Sequence, residues 1–392
     1  MLLLTSLALF KYLRPTWLDT YLTVPGLDLG SLPGSAANQV LPLGISFYTF
    51  NMLGALFDVY QGRVKETPSL LSFAGYVSFF PTIASGPLIR LHDFNPTDEN
   101  RTRLGAGKVE LGLYGLTIGL AKKVVIADGL GRIIDPLFAS VGDLGFWGGW
   151  IGTLGYAHQL YFDFSGYSDM AIGLARILGV HVPPNFDAPF TAASLTEFWQ
   201  RWHITLSHWF RDYFFLPFSR WMLGMHHGLS ASVIRTISLV SNMLLIGLWH
   251  GATPPFLLWG VLQGVILAAE AHGRRRGWTL PRPLTRSATF LFIILGFILI
   301  RSPDMETAFA IYRTLFGLNG YEQWVGGLPQ VMRVGRRVLG VLVILTALSQ
   351  FRWDTWNTKL RRSRGYLLGL ALLFLIALTQ LGAPRTFIYF QF

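Results

Sequence analysis

Long runs of apolar residues without a single formal charge dominate the chain, at 40–57, 67–89, 144–162, 236–269 and 365–383. Several reach the ~20 residues that a helix needs to cross a hydrocarbon core of about 30 Å. Backbone in lipid must satisfy its own hydrogen bonds, which leaves helices or closed barrels, and none of these runs alternates with the period of two that a barrel strand requires. The pattern predicts an all-α integral membrane protein, a multi-pass bundle of about ten spans. They fall near 40–60, 68–90, 109–127, 145–163, 166–180, 231–249, 253–271, 287–300, 337–351 and 365–383. No internal repeat or low-complexity linker interrupts them, so residues 1–392 read as one membrane domain.

Composition agrees: 52% of residues are hydrophobic and 14% charged, against roughly a quarter charged in a soluble domain. The excess of 32 Lys+Arg over 21 Asp+Glu would suggest nucleic acid in a soluble protein. Here the cations gather at the ends of apolar runs, as in Arg274, Arg275, Arg276, Arg282 and Arg286, and in Lys359, Arg361, Arg362 and Arg364. That is the positive-inside signature of cytoplasmic loops facing anionic lipid, so the expected partner is the bilayer and not nucleic acid. Arg313, Arg333, Arg336 and Arg337 lie in a segment that the same rule puts outside, and aromatic-rich 303–330 is expected to lie along an interface. Zero cysteines exclude disulfides, thiolate metal sites and a cysteine nucleophile. Met1–Phe10 precedes its charges Lys11 and Arg14, the wrong order for a signal peptide. The triplet Asn100-Arg101-Thr102 fits a glycosylation sequon, a match common by chance.

Polar groups between spans are expensive, and four clusters stand out. In Phe80–Arg90 two prolines and a glycine interrupt an apolar run, which reads either as a broken, re-entrant segment or as a kinked helix with Arg90 snorkelling. Tyr161–Met170 holds Asp163 and Asp169 among aromatics, either as reacting carboxylates or, the reading preferred here, as caps and packing groups beside Ser165. Ser194–Arg211 predicts a polar helix on which Trp199, His203, Ser207 and Arg211 share one stripe while His208 faces elsewhere; the bland alternative is an interfacial anchor. His250, in Leu248-Trp249-His250-Gly251, lies 14 residues from the start of its uncharged stretch and 19 from the end. A histidine at that depth is costly unless used, which favours function. The pair His226-His227 has no i, i+4 partner or nearby carboxylate and reads as a loop, with no metal site.

Together these segments resemble the membrane-bound O-acyltransferase family, particularly its alginate O-acetyltransferase type, with some likeness to the D-alanyl transfer proteins of lipoteichoic acid. The matching pieces run in family order from about 40 to 271: Leu43–Phe50, Gly86-Pro87 with Arg90, Tyr161–Gly173, Asn185-Phe186, Glu197–Tyr213 and Leu248–Gly251. Ser165 and Asp169 look like the acetyltransferase type. Phe214–Arg220, after Arg211-Asp212-Tyr213, lacks the Gly-Gly-Asn-Arg stretch of the alginate type and looks nearer the D-alanyl type. Relatives usually carry further spans before the counterpart of Leu41, so the amino end reads as short, with a late start or an upstream start codon.

The resemblance implies a helical bundle around a central tunnel, with His250 matching the catalytic histidine and His203 the second functional one. Trp199, Ser207, Arg211, Asp163, Asp169, Asn185, Trp249 and Arg90 are the expected substrate-binding or tunnel-lining residues. The implied reaction moves an acyl group, acetyl first, from a cytoplasmic thioester such as acetyl-CoA to a hydroxyl of an exported or cell-surface glycan, across the bacterial cytoplasmic membrane. No bound cofactor is expected, and a periplasmic or extracellular acetyl-relay protein is a further expected partner. A neutral imidazole titrating near operating pH suits a general base, the role expected of His250. Without cysteine or a G-x-S-x-G elbow, direct transfer is expected over a covalent acyl-enzyme. His203 would orient the acceptor or polarise the thioester carbonyl. The competing readings are D-alanyl transfer toward teichoic-acid-type polymers, a polytopic transporter, and a non-catalytic membrane partner of a glycan-modifying complex.

Overall fold

The computed structural model describes residues 44–64, 66, 68–94, 105–225, 228–319, 340–342, 344–346, 349, 363–382 and 387–388. The expectations for the amino end, the sequon, His226-His227, the segment 320–338 and the basic loop 352–362 lie outside these residues.

Helix α1 (Ile45–Tyr60) starts from Gly44 at φ 75°, where a side chain would collide with the carbonyl of Ile83. Only glycine tolerates both the left-handed backbone and that approach. The predicted span 68–90 is not one helix: α2 (Leu70–Val77), capped by Ser69, gives way to the single turn α3 (Phe80–Ile83) and then to non-helical chain through Arg90. Pro87 has no N–H and pushes Gly86 out of the helical region, so the broken-segment reading holds.

Helix α4 (Ala106–Leu120) runs through a wide π-helical turn (Ala121–Ala127) into α5 (Asp128–Ala139). Against it lies α6 (Phe146–Ile177), one helix of 32 residues where two spans were expected, about 48 Å long at 1.5 Å per residue. Asp163, Ser165 and Asp169 therefore cap nothing, because they sit in mid-helix. The helix continues through them because the carboxylates are neutralised from the π turn: Lys123 Nζ lies 2.6 Å from Asp163 and 2.7 Å from Asp128, and Lys122 Nζ lies 2.6 Å from Asp169. Backbone contact makes that reach short. A Cβ on Gly119 would fall 2.5 Å from the Gly166 carbonyl, and one on Gly173 would fall 2.6 Å from that of Gly112. Small residues at such seams are how helices associate in lipid.

After a loop carrying Asn185 come α7 (Leu195–Trp199), α8 (Ile204–Phe210), a second π turn (Arg211–Phe215) and α9 (Leu216–Gly224). The next three helices, α10 (Ala231–His250), α11 (Pro254–Arg275) and α12 (Arg282–Arg301), are the only ones among the described residues long and apolar enough by composition to cross a membrane. The expected count of about ten spans is thus not confirmed among the described residues, where α6 carries charges and the segment after α2 is broken. Helices α10 and α11 pack closely: a Cβ on Gly247 would meet the Phe256 carbonyl at 2.5 Å, and one on Gly260 that of Met243 at 2.6 Å.

Helix α13 (Met305–Leu315) begins at Asp304, which accepts from Thr307 N–H at 2.7 Å and is thereby held below the usual carboxylate range. It buries Ile311 and Leu315 against Ile298 of α12 and exposes Phe309 and Phe316, as a helix at an interface does. Helix α14 (Arg364–Thr379) buries only Ala377 and turns Leu368, 70% exposed, outward with Leu372 and Leu375. Such apolar exteriors belong against lipid.

Candidate functional site

Helix α10 ends at His250 because Gly251 is extended, and a side chain there would strike Phe256 at 2.5 Å. The histidine is held among rings at that corner: Trp249 at 4.6 Å between centroids, Trp259 edge-on at 5.6 Å and Phe256 stacked at 6.2 Å. It is 8% exposed and lines a narrow cavity of about 20 Å³ with Leu160, Trp199, Trp202, Trp259 and Gln263. Trp199 donates its indole N–H to Gln263 Oε1 at 3.1 Å across this cavity.

The predicted stripe of Trp199, His203, Ser207 and Arg211 does not exist as one helical face. The helix stops after Trp199 and restarts at Ile204, with His203 between them at φ 43° and ψ 52°. A non-glycine residue in the left-handed region costs of order 1–3 kcal/mol and persists only where the surroundings fix it. What fixes it is Asn185. Its backbone carbonyl accepts from Ile204 N–H at 3.0 Å, while its Oδ1 accepts from Thr205 N–H at 3.2 Å and from the Thr205 hydroxyl at 2.9 Å. The start of α8 is thus capped from a distant loop rather than by its own N-cap side chain. Leu88 N–H, in the broken segment, donates to Thr205 Oγ1 at 3.0 Å, and Asn185 Nδ2 reaches Ser168 of α6 at 3.4 Å. One residue therefore ties together three of the four clusters picked from the sequence.

Asn185 Oδ1 also lies 3.2 Å from His203 Nδ1. An amide oxygen that already accepts from a backbone N–H can only accept again, so the proton is on Nδ1 and Nε2 is the acceptor of the neutral ring. His203 is 1% exposed, edge-on to Phe164 at 4.7 Å and 6.4 Å from Trp249. It adjoins Trp249 and is not among the residues lining the cavity beside His250.

Of the predicted site residues, the structure gathers His250, Trp199 and Trp249, with His203 and Asn185 adjoining. The others lie apart, each for a visible reason. Asp163 and Asp169 are held in their ion pairs to Lys123 and Lys122. Arg90 pairs with Asp212 at 3.0 Å and stacks 4.3 Å over Tyr213, and the exposed Arg211 pairs with Asp212 at 2.7 Å. Ser207 turns its hydroxyl back toward the Trp202 carbonyl. His208 is exposed, as its position predicts. Three further residues carry no local signal in the sequence: Trp259 and Gln263, which look like ordinary residues of an apolar helix, and Glu270, which caps α7 by accepting from Leu195 N–H at 2.6 Å and Thr196 N–H at 3.1 Å. His158 is likewise unmarked by its neighbours, yet it is fully buried in α6 and bonded to the Leu154 carbonyl at 2.8 Å. Among the described residues no group of His, Asp and Glu is placed to hold a metal.

The fold and site define a polytopic helical membrane protein with a histidine at the head of a ring-walled cavity. The profile of the membrane-bound O-acyltransferase family matches residues 59–276, more than half of the chain, and the chain belongs to that family. It is 37% identical over 340 residues to a probable alginate O-acetylase of Pseudomonas aeruginosa, covering 85% of this chain and 63% of the relative. It is 36% identical over 311 residues to a peptidoglycan O-acetyltransferase of Helicobacter pylori, covering 72% and 58%. A teichoic acid D-alanyltransferase of Bacillus subtilis is 30% identical over 267 residues, covering 66% and 67%. The chain spans less than two thirds of the length of the first two.

Proposed function

We propose that the protein is a membrane O-acyltransferase that moves an acetyl group from a cytoplasmic thioester to a hydroxyl of an exported polysaccharide, with His250 as general base. The observation that carries this reading is His250 itself, a buried imidazole fixed by three aromatic rings at a cavity formed by α6, α7, α11 and α12. The acceptor oxygen attacks the thioester carbon while His250 removes its proton, and the same proton goes to the departing thiolate. General-base action supplies about 10²–10⁴-fold of such a rate. The O-acetylating relatives favour acetyl as the group moved.

His203 is the second participant. Its neutral tautomer offers an acceptor at Nε2, which suits orienting the acceptor hydroxyl better than polarising a carbonyl, a task that needs a donor. The donor approaches from the side of Arg274–Arg276, Arg282 and Arg286, the cytoplasmic side by the positive-inside rule, in the bacterial cytoplasmic membrane. An acetyl-relay protein on the outer side would complete delivery to the glycan.

The test is His250→Ala in a strain carrying the gene, with surface glycans analysed by mass spectrometry. Glycan O-acetylation should vanish while the protein stays in the membrane at normal abundance. Near-normal acetylation would discard His250 as the base, and loss of D-alanyl esters in place of acetyl esters would reassign the acyl group.

A further inference from the structure

One wall of the His250 cavity is not apolar. Trp259 is 3% exposed, and its indole Nε1 is buried with no hydrogen-bond partner among the described groups. Leaving such a donor unsatisfied costs about 1–3 kcal/mol. One turn along α11 is Gln263, whose Oε1 is the end that accepts from Trp199; its Nε2, with two N–H donors, is the other end. Both nitrogens face α12 at Gly296. A Cβ on that glycine would stand 3.4 Å from Gln263 Nε2 and 3.5 Å from Trp259 Nε1. The glycine leaves a niche of about one atom, faced by two N–H groups whose side chains, Trp259 and Gln263, also line the cavity beside His250.

We propose that this niche receives the carbonyl oxygen of the acyl thioester and stabilises the negative charge it gains during transfer. The inference rests on the acyl-transfer reading above. When the acceptor oxygen bonds to the carbonyl carbon, the C=O pair moves onto oxygen, where Trp259 Nε1–H and Gln263 Nε2–H donate to it. The C–S bond then breaks, the carbonyl re-forms, and the hydroxyl proton carried by His250 passes to the thiolate, leaving an ester and a free thiol. Donors fixed before charge develops need no reorganisation, and removing one such donor typically costs about 10²–10³-fold in turnover. Trp199 is a positioning residue here: its bond to Oε1 decides which end of the Gln263 amide meets the niche.

Two substitutions separate chemistry from packing. Trp259→Phe removes the N–H and keeps a ring beside His250, whereas Gly296→Ala puts a methyl in the niche at ordinary contact distances. The full chain in liposomes would be assayed with acetyl-CoA labelled with ¹³C at the acetyl carbonyl and with alginate oligosaccharides. Each variant should lose about 10²–10³-fold in kcat, with KM for acetyl-CoA and the melting temperature unchanged. The infrared carbonyl band of bound acetyl-CoA should move to higher frequency than in the unsubstituted protein. Wild-type turnover in both variants, or an unmoved band, would overturn the niche while leaving His250 in place. If His250→Ala also transfers normally, or the unsubstituted chain transfers nothing, the acyl-transfer reading itself fails.

Discussion

Asn185 illustrates how much one polar side chain can organise. It caps α8, holds the His203 ring in one tautomer and reaches the broken segment through Thr205. Asn185→Ala leaves its backbone bond to Ile204 but removes the Oδ1 that accepts from the buried Thr205 N–H and meets His203 Nδ1. The expected loss is about 1–3 kcal/mol of stability, with turnover falling toward that of His203→Ala, measurable by thermal melting beside an acetyl-transfer assay. His203→Ala should reduce turnover severely but less completely than His250→Ala; unchanged turnover at saturating donor and acceptor would leave His203 a packing role. Residues differ in how legible they are. His250 can be picked out because it is the one titratable group in a long uncharged stretch, whereas Trp259 and Gln263 cannot, since tryptophan and glutamine are unremarkable on an apolar helix. Their meaning comes from Gly296, 33 residues downstream of Gln263, and no local pattern links the two.

Among the elements, the strongly periodic apolar helices α10, α11 and α12 fall within a few residues of the expected spans, except that α12 starts earlier, at Arg282. The misreadings are at breaks. Asp163 and Asp169 look like interruptions of α6 because their partners, Lys122 and Lys123, lie some 40 residues earlier. Conversely, 194–211 looks continuous because nothing local disfavours helix at His203; the break is imposed by Asn185 from another loop. The seam between α10 and α11 gives a prediction at this scale. Gly260→Ala places a methyl against the Met243 carbonyl and forces the helices apart, so thermal stability and activity should both fall. Gly369→Ala on α14, which meets nothing within 4 Å, is the matched control and should leave both unchanged.

For the whole molecule, orientation is the property most directly testable, because a chain without cysteine needs no background removed before single cysteines are introduced. Arg275→Cys, at the end of α11, should react with an impermeant maleimide only in inside-out vesicles, and Asp304→Cys, beyond α12, only in right-side-out ones. The reverse pattern would place the donor on the wrong face and discard the proposed direction of transfer.

The ion pairs between α6 and the π turn have a further consequence, and it falls during biosynthesis. A lysine or aspartate at the centre of a helix entering the bilayer costs about 2.5–3.5 kcal/mol on translocon insertion scales. Neither the α4–α5 rod nor α6 is apolar enough to absorb that alone, yet each carries the other's counter-ions. The two should leave the translocon as a joined hairpin, the first waiting for the second. Truncation before Phe146 should then leave α4–α5 poorly inserted in a glycosylation-tag assay, and extension through Ile177 should restore it. In that sense the paired carboxylates serve assembly of the protein before any substrate arrives.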